Sequence, residues 1–220
     1  MKKSILYKLL ILFLAAVVAG MIIECAIRIF GLAPTISSEY FDYTTSPYLA
    51  YGPKPLSHRT GMSASGEYYY DYTFNSFGFR DDEHTRQKTN GVFRILGLGD
   101  SFTQGSGARF EETYLYLLER SLNARSGSCS RVEIIKAGVS RFFPEPERML
   151  LQSLGKEFEP DIVIIGFLPN DVLDTHFGLD AVTVDKSGFL LTRQAAELGP
   201  LGIILYKNSH LCRLVLSKYV

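Results

Sequence analysis

The strongest pattern along the chain is an apolar run near the amino terminus. Residues 4–23 read SILYKLLILFLAAVVAGMII, and no charged residue occurs between Lys8 and Glu24. About 20 apolar residues suffice for a helix to cross a bilayer. The lysines before the run place the amino terminus in the cytoplasm. We therefore predict a cytoplasmic tip and transmembrane anchor over residues 1–33, with the main domain outside the cytoplasm, periplasmic or extracellular.

A cleaved signal peptide is the alternative to this anchor. Val17-Val18-Ala19 before Gly20 is a weak cleavage site, and apolar residues continue beyond it. An uncleaved single-pass anchor is therefore favoured. The chain has three cysteines, Cys25, Cys129 and Cys212. They form no disulfide framework, although an exported domain would permit a Cys129–Cys212 bond.

Residues 34–91 form a segment rich in tyrosine and proline, with no helical period. Eight of the 13 tyrosines fall between Tyr40 and Tyr72. We interpret it as an extended lead-in with short strands that wraps the main domain. Its tyrosines are expected to be half-buried there, in preference to forming a carbohydrate-binding surface.

The domain over residues 92–220 begins with a regular alternation of strands and helices. Short apolar runs predict strands at 92–99, 132–138 and 161–167, and helical spacing predicts helices at 113–125 and 145–158. This β-α-β-α-β order indicates a parallel sheet covered on both faces, a three-layer α/β/α fold with a flavodoxin-like sheet. A hairpin at 181–191 and a helix at 201–219 follow. Three strands are few for such a sheet, so we expect the domain to be incomplete here.

Charge and glycine spacing exclude other function classes. The 23 basic and 23 acidic residues balance, which gives no electrostatic case for a nucleic-acid partner. A Gly-x-Gly-x-x-Gly fingerprint fails because its third glycine is replaced by Phe102. No cofactor and no metal are predicted.

The residues that follow the three strands carry the candidate chemistry, because ligands of parallel sheets bind beyond the carboxyl ends of the strands. The first strand is followed by Asp100-Ser101, the second ends at Gly138, and the third is followed by Asn170-Asp171. A serine can attack an acyl carbon when a base removes its proton. The N–H groups of Ser101 and Gly138 and the amide of Asn170 would then stabilise the oxyanion.

These blocks, Gly99-Asp100-Ser101, Gly138 and Asn170-Asp171, resemble the SGNH (GDSL-like) hydrolases over roughly residues 75–176. The resemblance implies an exported, membrane-anchored serine esterase or acyltransferase. Its substrate would be an acylated carbohydrate or lipid. Ser101 would be the nucleophile and Gly138 and Asn170 would form the oxyanion hole, with Gly99, Asp100 and Asp171 supporting them.

The chain departs from the family pattern at the general base. The family carries an Asp-x-x-His after the asparagine block, whereas the only Asp-x-x-His here, Asp81 and His84, precedes Ser101. We reject that pair as catalytic and interpret it as a solvated loop. His176 is expected on a surface loop and His210 in the last helix. The base and its aspartate are expected outside these 220 residues, so this chain alone should be poorly active or inactive.

A second function remains open beside the esterase. A non-catalytic module on the same fold would hold an envelope glycan through the tyrosine-rich segment. In that case the missing histidine would be a real property of the protein. Ser140-Arg141 after Gly138 and Pro169 before Asn170 are further departures from the family pattern.

Overall fold

We describe the protein from a computed structural model that covers residues 2–33, 43–46, 48–63, 66–126, 131–192 and 197–216. The chain forms two compact units, one of Met1–Ile36 with Gln194–Val220 and one of Ser37–Arg193. The second unit joins most of the lead-in to the sheet. Cys129 lies outside the described residues, so the Cys129–Cys212 bond stays untested.

The first unit is built on helix α1, Lys2–Ile29. Its stretch Ile5–Ile29 is long and apolar enough to cross a membrane, and most of its side chains are exposed. The carboxyl-terminal part forms α6, Gly199–Asn208, and α7, His210–Leu216. The prediction of one helix over 201–219 is therefore wrong at Ser209. This residue has extended backbone, and its hydroxyl accepts a hydrogen bond from the Cys212 N–H, which starts a new helix.

The second unit contains the predicted parallel sheet. Its strands are β5, Val92–Gly99, β6, Arg131–Gly138, and β7, Ile162–Gly166, in the order β6-β5-β7. The mixed α/β class and the parallel three-stranded sheet are thus confirmed. The register sets Gly99 beside Gly138 on one side and beside Gly166 on the other. All three strands therefore end at one level.

Apolar side chains cover both faces of β5 and β6. Ile95 and Ile134 pack on one face against α3, Tyr114–Ser126. On the other face, Leu96 and Ile135 pack against α4, Pro144–Leu150, and the residues after it. The predicted helix over 145–158 continues through a π-helical turn at Leu151–Gly155. Two more helices begin just past the strand ends: α2, Ser101–Gln104, and α5, Pro169–Phe177.

Short strands form the lead-in, as predicted. They are β1, Tyr43–Thr44, β2, Gly52–Pro53, β3, His58–Met62, and β4, Tyr69–Thr73, paired as two antiparallel ribbons. Four of the lead-in tyrosines are buried, which confirms a packing role for them: Tyr43, Tyr51, Tyr70 and Tyr72. The predicted hairpin is also present, as β8, Val182–Val184, and β9, Leu190–Thr192.

Candidate active site at the carboxyl edge of the sheet

Ser101 is the first residue of α2, directly beyond the end of β5. Asp100 caps this helix, because its Oδ1 accepts a hydrogen bond from the Phe102 N–H at 2.9 Å. Asp100 is buried, whereas Ser101 is partly exposed and Phe102 is 69% exposed. The acidic turn therefore ends the strand and leaves the serine at the surface of the sheet edge.

Asn170 reaches this same turn from the third strand. It lies in the first turn of α5, where Pro169 starts the helix. Its Nδ2 lies 3.3 Å from Asp100 Oδ2 and 3.4 Å from Asp174 Oδ2. The neighbouring Asp171 is buried, and its Oδ2 accepts a hydrogen bond from the Leu168 N–H at 2.8 Å. Asp100 thus connects the serine turn to the asparagine loop.

Gly138 lies against the backbone of α2. A Cβ at this position would overlap Thr103 and the Gln104 nitrogen. The Val139 N–H donates to the Gly99 carbonyl at 3.0 Å. Since successive N–H groups of a strand point to opposite sides, the Gly138 N–H points away from β5. The three predicted site residues therefore flank one short helix.

Thr103 explains why all three strands end in glycine. A Cβ on Gly99 or Gly166 would overlap the Thr103 side chain, which is buried between them. The Thr103 hydroxyl lies 3.1 Å from the Tyr114 hydroxyl of α3. Gly99 also has φ +152°, a conformation that other residues rarely adopt. These glycines let α2 lie directly on the strand ends.

The loop after α2 is held by residues that the sequence analysis did not identify. Gln104 Oε1 accepts a hydrogen bond from the Ser140 N–H at 2.7 Å. The buried Arg80 guanidinium donates to the carbonyl oxygens of Gly105, at 2.7 Å, and Ala108, at 2.8 Å. These contacts hold α2 and the turn after it to Ser140, which follows β6, and to Arg80, which follows β4. The charge of Arg80 alone did not indicate that its side chain would be buried and bind these carbonyl oxygens.

A cluster of buried carboxyl groups also lies at this edge. Burial, together with the charges of Asp171 and Asp100, raises the pKa of Glu147 to about 7. Burial also raises the pKa of Asp171. Glu147 Oε1 and Asp171 Oδ1 have no hydrogen-bond partner among the described residues. Glu147 was missed because its burial follows from the packing of α4, which local sequence does not reveal.

All four histidines lie among the described residues. The side chains of two of them contact carboxylates of the lead-in and the sheet. His58 Nε2 lies 2.6 Å from Asp71 Oδ1. Both ring nitrogens of His84 contact carboxylates, Asp81 at 2.7 Å and Glu133 at 3.0 Å. His176 is exposed, as expected, but it lies within α5 and not on a loop. His210 lies in α7, the last described helix.

The interpretation of Asp81 and His84 as a solvated loop is wrong. Asp81 is buried, and it also binds Lys136 through the backbone N–H at 2.7 Å and through Nζ at 3.1 Å. Burial disfavours the charge of His84, but the hydrogen bonds and charges of Asp81 and Glu133 outweigh this effect and raise its pKa. The pair therefore belongs to a buried ionic network beside β6.

No protein-family model matches the chain, and no curated protein matches its sequence. The site is therefore interpreted from its own residues and geometry.

Proposed function

We propose that the protein is an exported, membrane-anchored serine esterase of the SGNH type that cleaves or transfers an acyl group on a carbohydrate or lipid ester. The observation that supports it most is the contact of Asn170 with Asp100, the residue before Ser101. This contact brings an amide donor to the serine turn. Gly138 lies against the other side of α2.

The proposed reaction begins with attack of Ser101 Oγ on the ester carbon, while the hydroxyl proton passes to a general base. The oxyanion that forms accepts hydrogen bonds from the Ser101 N–H and from Asn170 Nδ2. The Gly138 N–H, which points away from β5, is a donor that only the resemblance implies. Collapse of this intermediate expels the alcohol, which takes the proton, and leaves the acyl group on Ser101. Water or a sugar hydroxyl then attacks the acyl-serine and releases the enzyme.

The general base is not assigned to the histidines of this chain. His84 is held by two carboxylates, and His58 is paired with Asp71. His176 lies six residues after Asn170 on α5, which places it about 120° around the helix from the amide. The resemblance implies a separate Asp-x-x-His for this role.

A cavity in the second unit favours the alternative, a glycan-binding module. It has a volume of about 780 Å³ and is lined by Tyr69 and Phe110 together with Asp71, Asp82 and Glu111. Aromatic faces beside carboxylate acceptors suit the apolar faces and hydroxyls of a sugar. This cavity could bind a glycan with no participation of Ser101.

Labelling with a fluorophosphonate and hydrolysis of a chromogenic acetate ester test the esterase in a protein that carries the Asp-x-x-His implied by the resemblance. Ser101→Ala should abolish both signals. Ser106→Ala, at a matched serine five residues later in the turn after α2, should retain them. Asn170→Ala should lower turnover by about 10²–10³-fold while labelling persists, as for the loss of one oxyanion donor.

Two results would contradict the proposal. Labelling that survives in Ser101→Ala means that the turn does not present the nucleophile. A wild-type protein that is neither labelled nor active contradicts the esterase altogether. Oligosaccharide binding that Tyr69→Ala and Phe110→Ala abolish would then support the glycan-binding module.

A further inference from the structure

Helix α6 presents an apolar face to its surroundings. Leu201, Ile204 and Leu205 are 70%, 56% and 42% exposed. Their spacing of three and four residues places them on one side of the helix. Soluble proteins rarely leave such contiguous apolar surface in water. This face therefore requires a covering partner.

The end of α6 is fixed to helix α1 by a carboxylate. Glu24 accepts hydrogen bonds from the Ser209 hydroxyl at 2.9 Å and from the N–H groups of His210 and Leu211, both at 2.8 Å. One turn further along α1, Arg28 Nη2 donates to the Asn208 carbonyl oxygen at 2.7 Å. The junction of α6 and α7 is thus bound to one level of α1.

That level is the end of the apolar run. Glu24 is the first charged residue after Lys8, so it marks where α1 leaves the hydrocarbon core of a bilayer. The side chains of Ile29 and Phe30 beyond it are also highly exposed, at 79% and 73%. The carboxyl end of α6 is therefore attached where α1 meets the headgroup region.

The length of α6 decides how it can meet a membrane. Its ten residues span about 15 Å, half the thickness of the hydrocarbon core, so it cannot cross. Exposed apolar side chains on a short helix attached at this level can enter the acyl chains from the interface.

We propose that α6 is an interfacial helix that inserts Leu201, Ile204 and Leu205 into the lipid leaflet next to Glu24. The occupant of this face is the bilayer itself. The inference rests on the proposed membrane anchor, because α1 supplies the level at which α6 is held. The protein would then contact its membrane at two places, through the span and through this second helix.

Single-tryptophan variants test this contact, because the chain contains no tryptophan. Ile204→Trp of the full chain is reconstituted into phosphatidylcholine–phosphatidylglycerol vesicles that carry a quencher at a shallow or a deep acyl position. We expect blue-shifted emission and loss of most fluorescence with the shallow quencher. Leu14→Trp in the span is the deep reference. Arg120→Trp, on an exposed site of α3 in the other unit, is the aqueous reference.

The reference variants show whether a negative result contradicts the interfacial helix α6 alone or the membrane anchor α1 as well. If the lipid-attached quenchers reduce the fluorescence of Leu14→Trp but not that of Ile204→Trp, the interfacial helix is contradicted and the anchor is not. Aqueous iodide should then show whether position 204 lies in water or beneath protein, such as a second copy, and either result contradicts lipid contact. Absence of lipid quenching at both positions contradicts the anchor as well.

Discussion

Among single residues, Glu147 combines complete burial with two carboxylate neighbours. Its pKa is about 7, against an ordinary value of 4.5, so the folded protein keeps a proton that the unfolded chain releases. The free energy of unfolding should therefore fall as the pH rises from about 4.5 to about 7, and the loss persists above that range. This rise in the pKa of Glu147 corresponds to a loss of at most about 3 kcal/mol in the free energy of unfolding.

Glu147→Gln should remove this part of the pH dependence. We expect the melting temperature of the detergent-solubilised wild type to fall between about pH 5 and pH 8, and that of the variant to fall less. Glu145→Gln, on the same helix α4 but partly exposed, is the matched control for the change of charge. An equal fall in all three proteins would show that Glu147 carries no extra proton.

Gly138 is a residue at which an added Cβ would meet backbone atoms. Gly138→Ala should destabilise the protein by about 3 kcal/mol, because the new methyl group meets the backbone of α2. Gly20→Ala should leave the melting temperature unchanged, since no atom lies within 4 Å of a Cβ there. Thermal unfolding of the two variants measures this difference. A stable Gly138→Ala protein would mean that α2 does not lie on the strand ends as described.

At the scale of elements, β7 is an edge strand of the described sheet, and its neighbouring residues Ile164 and Ile165 differ in burial. Ile164 packs against the α3 side of the core, whereas Ile165 is 56% exposed. Ile164→Lys should lower the melting temperature clearly, because it places an unpaired charge against the apolar core. Ile165→Lys should change stability by no more than about 0.5 kcal/mol and should reduce self-association in light scattering. Similar melting curves for both would contradict this facing.

The same elements show how far a sequence can predict structure. The bounds of β5 and β6 followed from continuous apolar runs, and the common sheet edge of Ser101, Gly138 and Asn170 followed from the order of parallel strands. The break at Ser209 could not be predicted, because Glu24, 185 residues earlier, binds the first N–H groups of α7. The burial of Asp81 depends in the same way on Lys136 of β6. Long-range partners of this kind leave no local pattern.

For the whole molecule, the side of the membrane on which the second unit lies remains a prediction. A reporter that works only in the cytoplasm should be inactive when fused after Val220, and one that works only outside should be active. Replacement of Lys2, Lys3 and Lys8 by glutamate should raise the activity of the cytoplasmic reporter relative to that of the external reporter, because these charges set the orientation of α1. Cytoplasmic activity of the unmodified fusion would reverse the topology.

The spacing of Lys8 and Glu24 along α1 has a consequence for the membrane itself. The two charges are separated by about 24 Å of helix, less than the roughly 30 Å of a typical hydrocarbon core. In a membrane that α1 spans, Glu24 would stay with residues 209–211, so Lys8 would snorkel or the bilayer would thin around the helix. Such hydrophobic mismatch favours thin bilayers, and the protein should partition into the thinner regions of a laterally heterogeneous membrane.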